Sequence, residues 1–213
     1  MSIFAFYSKR LAGRITAAVS SMVRDRRGVA AVEFAMIAPL LLVLYFMTME
    51  VTLALETNKK VSRISSMVAD LVTQQTCVNP TKLDNIIDIG QATIYPYDRT
   101  VPSIEITGIK ISDETNPKAT VDWSRKSVNN TSSAGAPIGS EVSIPAALKI
   151  RGTYLVRVQT SLDYRPIIAW AADEKASLGL MSAFDNIPMA ETYYLRGRLS
   201  SEVKWDTSTC PSA

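Results

Sequence analysis

Histidine is absent from the chain. That excludes histidine-based triads, a histidine general base and every zinc motif with a histidine ligand. Serine–lysine or carboxylate chemistry stays open in principle, but no S-x-x-K context comes with a placed oxyanion site, and there is no glycine-rich phosphate loop. Two acid pairs, Asp113-Glu114 and Asp173-Glu174, fall in expected turns without a calcium-type ligand ladder. No catalytic, metal or cofactor site is expected. Cysteine is scarce: Cys77 and Cys210 are the only two of 213 residues. In a cytosolic protein both would be free thiols, whereas an exported body favours a disulfide between them. Closing so long a loop would stabilise by roughly 4–5 kcal/mol in the chain-entropy model, given unstrained geometry.

Charge of one sign is also missing from most of the chain. The formal net charge is +3, but residues 1–28 hold six Lys and Arg against one acid, Asp25. The remainder carries 17 basic against 19 acidic residues. The basic balance therefore belongs to a short leader and not to a folded surface, which argues against nucleic acid as a partner.

What the sequence does have is a long apolar run. Val29–Val51 contains two acids, Glu33 and Glu50, and no base. As a helix it reaches about 35 Å at 1.5 Å per residue, enough to cross about 30 Å of hydrocarbon. Pro39 inside it is tolerable in a membrane helix. The positive charge before the run predicts a cytoplasmic N-terminus and an exported body. The run is longer than the apolar core of a cleavable secretory signal, and no clear A-x-A site follows it. From Thr52 to Gln75 there is no Gly or Pro, and Val61, Ile64, Val68 and Leu71 form a narrow apolar stripe. That stripe suits packing against the protein's own head, against neighbouring subunits, or both.

Beyond Cys77, Asn79-Pro80 breaks the helix and Leu83–Ile89 reads as a short one. Alternation at Ile104, Ile106, Ile109 and Ile111 predicts a strand with Gly108 as a bulge, and "KATVDW" (118–123) its hairpin partner. Residues 125–143, rich in Ser, Asn and Gly, read as a surface loop, and the sequon Asn129-Asn130-Thr131 carries no weight. Residues 153–164 read as a strand, 167–172 as a short apolar run, and 191–205 as β-rich with a bend at Gly197. The expected fold is α+β: a leader (1–28), a transmembrane helix (29–51), its amphipathic extension (52–76), and a small extracytoplasmic head (77–213) on an antiparallel sheet of four strands.

The sharpest signal is Gly28 followed by Val29-Ala30-Ala31-Val32-Glu33-Phe34 behind a basic cluster. This is the arrangement that a prepilin-type peptidase cuts. A glycine offers accessible backbone before the bond. Cutting there removes the leader and makes Val29 a new α-amino terminus, one turn from Glu33. In an assembled fibre Glu33 could pair with the amine of an adjacent subunit, which offsets its burial, and an acid near a helix N-terminus is favoured by the macrodipole.

The block "RRGVAAVEFAMIAPLLLVLYFMTMEV" resembles TadE-like proteins, minor pseudopilins of the Tad (tight adherence, Flp) type IV pilus system of bacteria. "ATVDWSR" and "YLVRVQTSLDYRP" are more loosely similar to stretches in that family. The resemblance implies processing by a Tad prepilin peptidase after Gly28, with Glu33 and the neighbouring Phe34 serving recognition or assembly. It implies a non-enzymatic role in pilus assembly at the bacterial inner membrane, with the head in the periplasm. The implied partners are the peptidase, other pilins or pseudopilins and the Tad platform proteins. The major pilins of that system are very short and often carry Glu-Tyr, unlike Glu33-Phe34 here, and TadG-like relatives are usually much larger. A TadF-like role stays open. The alternative is an uncleaved, single-span binding or adhesion protein.

Overall fold

The structure, a computed structural model, describes residues 28–167 and 186–206. Its first element is a 45-residue helix, α1, Val29–Thr73. No glycine interrupts that stretch, and its single proline, Pro39, lies in the apolar half. The chain falls into two units, Met1–Met49 and Glu50–Ala213.

In the first unit the large apolar side chains of α1 are exposed, from Val32 and Phe34 through Leu40–Met47. None of the most apolar 18-residue window is buried in the protein. Among the described residues α1 is the one helix long and apolar enough to cross a membrane. The Thr48 hydroxyl is satisfied by the helix backbone: its Oγ1 donates to Leu44 O at 2.9 Å and Tyr45 O at 2.8 Å. Such back-bonding is how a polar side chain is carried at low cost in an apolar helix.

In the second unit, α1 residues 50–73 are part of the core. Val61, Ile64, Val68 and Val72 are fully buried, as are Ser65, Ala69 and Thr73. The buried stripe follows the expected one up to Val68. At the last turn it differs: Leu71 is half-buried at the core's edge and Val72 takes the central place. The 3.6-residue period carries the stripe one position on. The helix ends at Thr73, three residues short of the expected 76.

After strand β1 (Cys77–Val78), Asn79 caps helix α2 (Pro80–Ala92), its side chain accepting from Lys82 N at 2.8 Å. Pro80 occupies the first turn, where a missing N–H costs nothing. The Asn-Pro pair thus ends one helix and starts the next, and α2 is longer than the expected 83–89.

The sheet has five strands, not four: β2 (Ser103–Ile111), β3 (Ala119–Val128), β4 (Thr131–Ser133), β5 (Tyr154–Tyr164) and β6 (Ile187–Leu195). They are antiparallel in the order β4-β3-β2-β5-β6. The register between β2 and β3 shifts between Gly108 and Ile109, the expected bulge. A Cβ on Gly108 would come within 2.6 Å of Trp123 Cε2, so the glycine makes room for the buried indole.

The expected loop over 125–143 is corrected from 125 to 133. β3 continues to Val128 and turns through Asn129 and Asn130, at φ 50° and 59°, into β4. Two left-handed residues make the tight turn whose twist suits a hairpin, and asparagine tolerates that conformation. The polar residues of β3 are held against the helices. Arg125 Nε and Nη2 donate to the two Asp84 carboxylate oxygens at 2.8 and 2.6 Å, and Ser127 is buried beside Gln91. The Arg125 guanidinium holds the Asp84 carboxyl below its usual range.

The β-rich C-terminal stretch also divides differently. β6 begins at Ile187 and ends before Gly197, while β7 (Lys204–Trp205) leaves the main sheet to pair in parallel with β1. Arg198 N donates to Thr73 O at 2.9 Å, satisfying a carbonyl at the end of α1. Val203 O accepts from Trp123 Nε1 at 2.8 Å and Tyr154 Oη at 3.1 Å, and Trp205 stacks on Trp123. The main core lies between the two helices and one sheet face, centred on Ile104, Ile106, Trp123, Val156 and Val158. The apolar run expected at 167–172 lies outside the described residues except for Ile167.

Candidate functional site

The two carboxylates of the apolar run have opposite environments. Glu33 is exposed and has no hydrogen-bond or ion-pair partner among the described residues. Its neighbours Val29 and Phe34 are exposed as well, 49% and 70%. A Cβ on Gly28 would meet nothing within 4 Å among the described residues. Packing among the described residues therefore calls for neither a glycine at 28 nor an acid at 33. Val29 and Glu33 are four residues apart, about 6 Å along the helix.

Glu50 is only 9% exposed. Tyr164 Oη donates to its Oε1 at 2.6 Å, and the Ile167 amide donates to its Oε2 at 3.0 Å. Burial and the adjacent Glu50 carboxylate push the Tyr164 phenol well above its usual range, so it remains a donor at any physiological pH. The Tyr164 ring is stacked on Tyr97, centroids 5.3 Å apart. Tyr97 Oη in turn accepts from Arg165 N at 2.9 Å, and the Arg99 guanidinium lies 5.3 Å from the Tyr97 ring centre. From the sequence, Glu50 is an acid at the far end of the apolar run, within reach of the interface, and no partner is marked for it. Its partners are more than 100 positions away, and only the terminal tyrosine of the predicted strand 153–164 hinted at them.

Cys77 is disulfide-bonded and sits in β1, against the C-terminal strand. The other cysteine, Cys210, lies outside the described residues.

Residues 28–70 match the family model described as TadE-like protein. Over these residues the chain is similar to that family. The matched segment opens on Gly28, includes Val29, Glu33, Phe34 and Glu50, and ends within the buried half of α1. No curated protein matches the chain, and no solved structure does. The TadE-like segment and the N-terminal apolar helix fit a Tad pilus-associated membrane protein with a single-pass anchor.

Proposed function

We propose that the chain is a non-enzymatic minor pseudopilin of a Tad-type pilus, anchored in the bacterial inner membrane and cut by a prepilin peptidase after Gly28. The contrast between the two glutamates carries this reading. Glu50 is accounted for inside the folded chain, by Tyr164 and Ile167. Glu33 has no partner among the described residues. A charged group in hydrocarbon costs several kcal/mol unless it finds a partner or water, and the new amine at Val29 of an adjacent subunit would supply one. Gly28 supports the same reading: no described residue crowds it, and a glycine before the cut offers accessible backbone to the protease.

In this role the head lies in the periplasm and presents its surface to other pilins, pseudopilins or the Tad platform. The disulfide of Cys77 is assigned to Cys210, which ties the end of α1 to the C-terminus in an oxidising compartment. N-terminal sequencing of the protein from membranes tests the reading. A chain starting at Val29 is expected, and Gly28→Leu is expected to retain the leader. A wild-type chain starting at Met1 or Ser2 would return the protein to the uncleaved anchored binding or adhesion class. Glu33→Ala is expected to reach the membrane yet to be recovered poorly with sheared pili.

A further inference from the structure

Along the sequence, the first cations after the apolar run are Lys59 and Lys60, about two turns beyond Val51. The fold brings others much closer to its outer end. Because Tyr164 and the Ile167 amide hold the Glu50 carboxylate, the stretch 164–167 lies beside helix position 50. Arg165 in that stretch is exposed, with Nε donating to Asn186 Oδ1 at 3.3 Å. Arg99 is tied to the same stretch: its Nη1 donates to Arg165 O at 2.6 Å, while Thr100 Oγ1 donates to Asp163 O at 2.7 Å. A guanidinium carries five N–H donors, and these bonds use only some of them. Ile167 next to them is 41% exposed, and Val51 on the helix 54%. Two acids share these segments, Asp98 and Asp163, both exposed. Asp163 precedes Tyr164 in β5, so it projects from the opposite face of the sheet.

We propose that Arg99, Arg165 and Ile167 form a collar beside Glu50 that binds phospholipid headgroups. The two guanidiniums match phosphate geometry and hydrate weakly, and Ile167 enters the boundary layer between headgroups and chains. Continuity with the span argues for lipid as the occupant. The collar is bonded to Glu50, the penultimate residue of the apolar run, and so lies within the same unit as the end of that run. The inference rests on α1 crossing a membrane.

The test uses the full chain in nanodiscs of phosphatidylcholine and phosphatidylglycerol, labelled with a nitroxide without reductant because Cys77 is disulfide-bonded. Ile167→Cys reports on the collar, Leu41→Cys on the span, and Leu199→Cys on the exposed segment after β6. Accessibility to oxygen relative to a nickel chelate should place Leu41→Cys in hydrocarbon, Ile167→Cys at headgroup depth and Leu199→Cys in water. Arg99→Gln with Arg165→Gln should raise chelate accessibility at position 167 at least twofold, with unchanged tryptophan emission as the check on folding. If position 167 is as accessible as position 199 while position 41 is in lipid, the collar is wrong and the anchor stands. If position 41 is in water, the anchor itself is wrong. If the double variant leaves the depth at 167 unchanged, the arginines do not bind headgroups.

Discussion

Removing the Tyr164 hydroxyl should loosen the head by about 2 kcal/mol. In Tyr164→Phe the ring still fills its fully buried site and keeps its stack on Tyr97. What goes is the 2.6 Å donor to Glu50, leaving a carboxylate that is 9% exposed with the Ile167 amide as its remaining described donor. A hydrogen bond to a charged group contributes about 1.5–3 kcal/mol, and leaving a buried acceptor short adds to the loss. For a unit of this size, 1 kcal/mol shifts Tm by about 2–4 °C, so a fall of about 4–8 °C is expected. Unfolding of the full chain in micelles, followed by the emission of Trp123 and Trp205, reads it. Tyr95→Phe, at a 76% exposed ring, is the control and should move Tm by less than about 1 °C. Glu50→Gln keeps an acceptor for the phenol and should cost less than Tyr164→Phe. The double variant Glu50→Ala/Tyr164→Phe should be less destabilised than the sum of its singles. Equal Tm for Tyr164→Phe and Tyr95→Phe, or strict additivity in the cycle, would refute the reasoning.

Asp84→Asn should destabilise the head by about 1–2 kcal/mol at pH 7, as expected when one partner of a half-buried bidentate pair is removed. Arg125 lowers the folded carboxyl's pKa from 3.8, so its contribution is fully present above that value. It is lost as pH falls through the lower folded value, and wild type and variant should converge in acid; a gap that persists there would assign the loss to packing. For Cys77, reducing and non-reducing gels should differ in migration, and Cys77→Ser should run as the reduced form under both conditions. Identical migration with full thiol labelling would remove the disulfide.

Features set by local pattern were legible from the chain. The apolar run, the stripe at Val61, Ile64 and Val68, and the alternation that makes β2 and β5 all follow from side-chain periodicity. Gly28 and Glu33 stood out because spacing alone marks them. What escaped depends on distant partners. Arg125 and Ser127 look like loop residues until Asp84 and Gln91 are placed opposite them. Asn129-Asn130 is a turn signal hidden in a sequon match. β7 exists only because β1 is 127 residues earlier in its register. The partners of Glu50 escaped for the same reason: its burial is decided by Tyr164, not by its neighbours in the helix.

The shared helix limits how this protein can be cut. A soluble head made by deleting all of α1 would lose Val61, Ile64, Val68 and Val72, each fully buried and each worth about 1.5–3 kcal/mol. That sum, about 6–12 kcal/mol, is as large as the whole stability of an ordinary domain. A cut at the boundary between Met49 and Glu50 spares them and keeps the Glu50 carboxylate with Tyr164 and the Ile167 amide. It still removes the helical turn in front of Glu50 and bares Val51 and Leu55 to water. The anchor is thus no detachable handle, and a gene fragment that keeps the head must keep half the helix with it.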